Sequence, residues 1–469
     1  MLTIRKPLLS SIVFLAYDDR QRGTPLPVLT YNGQWVTSTS NETFPVFNPV
    51  TEEFIGTCPD SNIADLNNAI ESPSRAFPVW KAASGRQRGR IIGRIFDLLV
   101  ENKEDLGKII TAENGKSKGG AEGKALFAAS FFEWFGEEAT RVYGDIIPHS
   151  NPTYRTRVIK EPVGVCVAAA LAAGCTVVMK TDGLTPFSSS SLAVLCERAG
   201  VPPGVFNVVK ALENTPQLGL ALCESDTSSS TLKKLSLELG GNAPFIVFDD
   251  ADLETAISSV LKFKFKVTGR TCVCANRIFI QQGIYDRFSQ RLVEEVKRFH
   301  VGNGIDAAVT HSPLTNGVGK VEEHIKDAVI KNSKVLLGGN RLPSLGKNFH
   351  ELTIIGDVDD SMKVTQDESF GPLAALTKFT TGKEVIERAN KSELGLALYI
   401  VTNDRARSHR VSEHFEFGMV TINTGIISDA SAPFGGVKHS GFSREGSKYG
   451  LEDYLTIKMI VTGGISANL

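Results

Sequence analysis

Two short stretches carry residue types that could do covalent chemistry. In Leu235–Leu239, leucines at 235, 237 and 239 alternate with Ser236 and Glu238. A strand there puts the leucines on one face and Glu238 on the other. Gly240 and Gly241 follow, permitting a sharp turn and the close approach of another segment. A carboxylate at the C-terminal tip of a parallel strand is where α/β proteins place functional groups. Taken alone, a strand-end Glu is more often a surface ion-pair partner. In Thr268–Arg277, Cys272 follows a Gly-containing turn and precedes a strand. A thiolate is the reactive form when a positive field lowers its pKa, and Arg270 is a candidate source of that field. A buried structural thiol is the commoner fate of a free cysteine. No histidine pair or second Cys-rich pair lies at ligand spacing, which argues against a metal at Cys272 and Cys274. Either stretch by itself leaves the choice open.

The surrounding elements alternate. A short β region runs from Leu26 to Val36 and from Phe44 to Thr57, broken by Asn32-Gly33 and Asn48-Pro49. Ile91, Ile95, Leu98 and Leu99 fall at helical spacing, and a second helical run covers about Ala121 to Tyr143. Asp145 to Val165 reads as a projecting hairpin with Asn151-Pro152 at its turn. From Gly164 on, the pattern is strand at Thr176, helix from Pro186 to Ala199, strand at Val205–Val209, helix from Thr215 to Glu224, then the Leu235 strand. A second alternating run starts at Phe245, with later strands at Arg277–Ile280, Lys334–Leu337, Leu398–Val401 and Met419–Ile422. Such alternation predicts two α/β domains with helix-covered parallel sheets.

The 469 residues suit two or three domains. Lys+Arg 51 against Asp+Glu 52 leaves a formal charge of -1, which gives no reason to expect nucleic acid or an anionic membrane as partner. The 7 cysteines are scattered, which points to free thiols in a reducing compartment. No apolar run is long enough to span a bilayer. Arg5 and Lys6 start the chain on a basic note, but Asp18 and Asp19 follow soon after. The expected location is the cytoplasm, with mitochondrial import as the alternative.

In combination the motifs say more. Ser236-Leu-Glu-Leu-Gly-Gly-Asn-Ala-Pro244 and Gly269-Arg-Thr-Cys-Val-Cys-Ala-Asn-Arg277 resemble the two active-site signatures of the aldehyde dehydrogenase superfamily. Their Glu and Cys stand 34 residues apart, as in that family. Glu368-Ser-Phe-Gly-Pro372, Asn423-Thr-Gly-Ile-Ile-Ser428 and Pro433-Phe-Gly-Gly-Val-Lys-His-Ser-Gly441 resemble its downstream signatures. The succinate-semialdehyde branch is the most similar, on Cys-Val-Cys, Asn-Thr-Gly-Ile-Ile-Ser and Arg444-Glu-Gly-Ser-Lys-Tyr-Gly-Leu451. The resemblance runs from about Tyr31 to the C-terminus.

It implies an aldehyde dehydrogenase-like α/β fold: a Rossmann-type cofactor domain over 1–144 and 159–239, an α/β catalytic domain over 240–440, and a small β oligomerisation element over 145–158 and 441–469. It implies NAD or NADP as cofactor, Cys272 as nucleophile and Glu238 as general base. Lys180 would hold the adenine-side ribose, Glu368 and Phe370 the nicotinamide ribose, and Leu239 would back the ring. Gly183 occupies the position that biases NAD against NADP. Lys266 and Ser428 stand where the branch binds its substrate's distal carboxylate, Lys266 in place of an Arg. The implied reaction is oxidation of succinic semialdehyde to succinate, in GABA catabolism, by a homodimer or homotetramer.

The sequence departs from the family at two gaps in the cofactor half. Only Ala168 to Cys175 separates the strands at Val165 and Thr176, whereas a parallel crossover needs roughly a dozen residues or more. The family's turn with its oxyanion-binding Asn and a second carboxylate-binding Arg would lie there. Between Glu224 and Leu232, Ser-Asp-Thr-Ser-Ser-Ser-Thr replaces the turn and helix start that receive the cofactor's pyrophosphate. Thr181 replaces the Pro after the lysine. These gaps leave a catalytically impaired pseudoenzyme, or a cofactor-independent thiol esterase, as alternatives to an active dehydrogenase.

Overall fold

In the computed structural model of the protein, residues 29–166, 170–224 and 234–464 are described. The basic start, Leu26 to Val28, Ala168 and the segment from Ser225 to Leu232 lie outside them. Two sheets organise the chain. The N-terminal sheet has five strands in the spatial order Gln34–Val36, Leu29–Tyr31, Phe206–Lys210, Thr176–Thr181 and Val165–Cys166. Its last three strands are parallel and Leu29–Tyr31 is antiparallel to both neighbours. The larger sheet has seven strands in the order Lys334–Leu337, Thr353–Gly356, Leu373–Phe379, Ala275–Gln281, Ala243–Val247, Ala397–Val401 and Met419–Ile422. It is parallel except at its Lys334–Leu337 edge. Its central strands are buried on both faces, as helix-covered parallel strands must be.

The expected alternation holds, with further elements added. Thr353–Gly356 and Leu373–Phe379 are short or Ala-containing buried strands with no period-2 signal. Helix Ile63–Ala82 contains Pro73 and Pro78, residues that ordinarily kink or break a helix interior. Its start is secured by a reciprocal capping box between Asn62 and Asp65. Buried Leu66, Ala69 and Trp80 hold it to the core.

The shortened connection closes without a helix among its described residues. Val165 pairs with Thr176 and Cys166 with Val177, both in parallel. Ala170 to Cys175 are buried, and two of their carbonyls accept from side chains: Trp80 Nε1 donates to Leu171 O at 3.1 Å and Arg88 Nε to Ala172 O at 3.1 Å.

The hairpin also departs from expectation. Its long strand, Arg155–Pro162, pairs over all eight residues with Leu455–Thr462 of the same chain, where pairing across subunits is expected from the sequence. Ile146–Ile147 adds the third strand. This sheet continues to Pro162, past the expected boundary at 158.

Candidate active site

Glu238 does not end a parallel strand, as the sequence pattern suggests. Leu237–Glu238 forms a two-residue ribbon antiparallel to Gly441–Phe442, outside both large sheets. The alternation survives with its faces reversed. Leu235, Leu237 and Leu239 are exposed, and Glu238 points inward. The two glycines do what their absent side chains allow. A Cβ on Gly241 would collide with the carbonyl oxygen of Cys272, and one on Gly240 would lie 3.1 Å from Glu368 Oε2. The acid ribbon, the thiol loop and Glu368 are thereby drawn together.

The thiol loop is conformationally costly. Helix Leu253–Val260 passes into a π-helical turn, Leu261–Phe265, and a 3₁₀ turn, Lys266–Gly269. Val267 and Thr268 sit at φ 55° and 56°, followed by Gly269 at 77°. Two β-branched residues in the left-handed region are strained, and such strain concentrates at functional sites. The loop is pinned at both ends: Thr268 Oγ1 donates to Ser312 O at 2.8 Å, and Tyr399 Oη to Val273 O at 2.7 Å.

The Cys272 thiol lies beside the Glu238 carboxylate, near enough for each group to shift the other. Burial, then the Glu238 charge, pushes Cys272 up to about 12, so the resting group is a thiol. Burial also raises Glu238 above the ordinary carboxylate range, with Cys272 opposing and Glu445 adding to the rise. Lys124, which the sequence pattern does not single out, brings a positive charge within reach of Cys272. Cys274 is wholly buried, taking a hydrogen bond from Lys264 Nζ at 3.3 Å, and belongs to the packing. The six described cysteines are all free.

Glu368 is raised to about 7 by burial. One oxygen of Glu368 and one of Glu238 are buried with no hydrogen-bond partner, and such acceptors call for a ligand or water donor. Phe370 and Leu239 flank this region, 43% and 48% exposed. Lys180 stands apart on the N-terminal sheet, its ammonium 2.7 Å from Thr215 Oγ1. At Gly183 a Cβ would meet Ala211 O at 2.7 Å, so no side chain projects there. An unsatisfied acid beside two exposed apolar side chains fits a nicotinamide riboside, and Lys180 remains an assignment by motif. Ser428 lines a cavity of about 300 Å³ with Phe127, Ser130 and Trp134, and Lys266 is exposed on the thiol loop. Among the described residues no cluster of His, Cys, Asp or Glu could hold a metal ion, and no helix is long and apolar enough to cross a membrane.

A thiol beside a carboxylate on an α/β scaffold is an arrangement suited to acyl or aldehyde chemistry. The comparisons name which. The sequence model of the aldehyde dehydrogenase family matches residues 35–228 and 217–460. The chain is 46% identical to glutarate-semialdehyde dehydrogenase of Pseudomonas aeruginosa, over 92% of this chain and 97% of that protein. It is 44% identical to succinate-semialdehyde dehydrogenase [NADP(+)] of Escherichia coli, over 92% and 97%. An aldehyde dehydrogenase structure from Brucella melitensis superposes with a TM-score of 0.91 at 41% identity, covering 99% of both chains. The protein belongs to the aldehyde dehydrogenase family and is by descent an oxidoreductase.

Proposed function

We propose that this protein oxidises a short aldehyde bearing a distal carboxylate, succinic semialdehyde to succinate foremost, with NAD(P) as hydride acceptor. The reading rests above all on the buried Cys272 thiol lying beside the Glu238 carboxylate. It is supported by relatives named for two semialdehydes that both carry a terminal carboxylate. Succinic semialdehyde as substrate would place the protein in GABA catabolism.

The residues then divide the work. Cys272 Sγ adds to the aldehyde carbon and its proton passes by way of Glu238 to the aldehyde oxygen, giving a thiohemiacetal on the chain and leaving Glu238 ionised. NAD(P)+, when bound, supplies the hydride acceptor that this oxidation needs. Glu368 and Phe370 hold the nicotinamide ribose, Leu239 backs the ring and Lys180 holds the adenine-side ribose, with Gly183 leaving the ribose 2′ position uncovered. Once Cys272 carries the acyl group as a thioester, Glu238 takes a proton from the attacking water, and the acid leaves as the thiol is restored. Lys266 and Ser428 receive the distal carboxylate, Lys266 as a point charge without the fork of an Arg. The N-terminal sheet with helices 63–138 is the cofactor domain, the seven-stranded sheet is the catalytic domain, and the three-stranded sheet joins subunits into a homo-oligomer.

Steady-state kinetics of Lys266→Ala test the substrate assignment. KM for succinic semialdehyde should rise on the order of tenfold or more, as loss of a charged contact implies. KM for an uncharged aldehyde of similar size should barely change. Equal effects on both substrates would remove the assignment.

A further inference from the structure

We propose that His324 is the positioning residue of the cofactor clamp: through Ser369 it fixes how Glu368 and Phe370 face the cleft, and so governs how tightly the dinucleotide is held. The inference rests on the dehydrogenase reading, which gives Glu368 and Phe370 the nicotinamide ribose. His324 lies on helix Val318–Ile330, on the face that packs into the core with Val321 and Ile325. It is 1% exposed, and its Nδ1 shares a hydrogen bond of 2.9 Å with the hydroxyl of Ser369, itself 1% exposed. Burial holds the imidazole below its ordinary range, so the ring in this bond is neutral.

Ser369 sits between the two residues of the clamp, and the three side chains divide. Ser369 is buried against the helix, Phe370 is exposed, and Glu368 is half-buried with one oxygen unpartnered. The backbone that carries them is in a costly state. Phe370 has φ 48°, in the left-handed region, which a bulky residue keeps only when its surroundings over-determine it. Close backbone approach on two sides supplies part of that constraint. A Cβ on Gly371 would collide with Val321 Cγ2 of the helix, and one on Gly269 of the thiol loop would collide with the carbonyl oxygen of Gly371. The thiol loop is in turn tied to the chain entering the same helix, Thr268 Oγ1 donating to Ser312 O at 2.8 Å. Packing of this kind holds the segment in place, whereas the His324–Ser369 bond is directional and acts on the residue between Glu368 and Phe370. Without the imidazole, Ser369 loses that bond in the core, and the strained Phe370 backbone is free to relax and turn the clamp from the cleft.

Binding of NADP+ or NAD+, whichever the wild type holds more tightly, is titrated calorimetrically on the intact protein with no aldehyde present. His324→Leu removes the bond at similar side-chain volume, and Ser369→Ala removes only the hydroxyl. Each should raise Kd about tenfold, the scale of one buried hydrogen bond. The double variant should be no worse than either single one, because both break the same link. His324→Asn, whose amide can stand where Nδ1 stood, should restore most of the affinity. Alkylation of Cys272 by iodoacetamide, read by mass spectrometry of its peptide, should proceed at the wild-type rate in every variant. A folded His324→Leu or Ser369→Ala protein that binds dinucleotide like the wild type overturns the positioning role and leaves the dehydrogenase reading standing. Additive losses, no rescue by His324→Asn, or a matching loss of Cys272 reactivity would make His324 a packing residue and overturn the role as well. A wild type that binds neither dinucleotide removes the dehydrogenase reading, and the positioning role with it. If His324→Leu fails to fold, Ser369→Ala alone decides the outcome.

Discussion

At the scale of single residues, the proposed chemistry turns on the buried Cys272 thiol and the Glu238 carboxylate beside it. Burial raises both groups, so the carboxylate must be ionised before it can take the thiol's proton. Cys272-dependent ester hydrolysis, followed without cofactor, should therefore rise with pH through a limb lying above the ordinary Glu range. Glu445 adds to the rise in Glu238. Glu445→Gln removes a negative charge, eases ionisation of Glu238 and should move that limb to lower pH; a limb that stays put would take Glu445 out of the site. The two neighbouring thiols should separate cleanly. Cys272→Ser should abolish ester hydrolysis, whereas Cys274→Ser keeps a group able to accept from Lys264 and should retain most of it, at about 1 kcal/mol of stability. Cys272, Glu238 and Glu368 are legible in the sequence because each sits in a short contiguous motif. Lys124, whose charge acts on Cys272, is not, because it reaches the thiol only through the tertiary fold.

At the scale of elements, close backbone approach positions the site. Gly241 has no room for a side chain against the Cys272 carbonyl. Gly241→Ala should push the thiol loop aside, lowering turnover on the order of 10²-fold, as a misplacement of about 1 Å does. The overpacking should cost about 1–3 kcal/mol in thermal unfolding. An alanine variant of wild-type activity would show that the loop yields freely. The sequence pattern signals this close approach correctly but assigns Glu238 to the wrong kind of strand. Two residues of ribbon, paired with residues 441–442 from the far end of the chain, leave no local pattern to read. The buried strand Leu373–Phe379 and the proline-containing helix Ile63–Ala82 are hidden for a related reason: tertiary packing and a capping box outweigh local preference.

At the scale of the whole molecule, the three-stranded sheet presents an open edge. On Leu455–Thr462, Ile457 is 72% exposed and Met459 65% exposed. An apolar edge strand of eight residues is a pairing surface that a monomer would have to protect. Light scattering at micromolar concentration should give a dimer or tetramer, and Met459→Lys should shift it toward monomer with the far-ultraviolet circular dichroism retained. A wild-type monomer would leave this edge without a role. Two α/β units with mostly parallel sheets are legible from the alternation of elements. That the hairpin and the C-terminal strand join within one chain is not, because two edge-forming strands read alike whether their partner is their own chain or a second copy.

The central claim, aldehyde oxidation through Cys272, has one direct measurement. Purified protein is mixed with succinic semialdehyde and NADP+ or NAD+, and reduced nicotinamide is followed at 340 nm, as absorbance of the reduced cofactor, for wild type and Cys272→Ala side by side. The account predicts reduced nicotinamide from the wild type and none above background from Cys272→Ala. No reduced nicotinamide from a folded wild type, or equal amounts from both proteins, would contradict it.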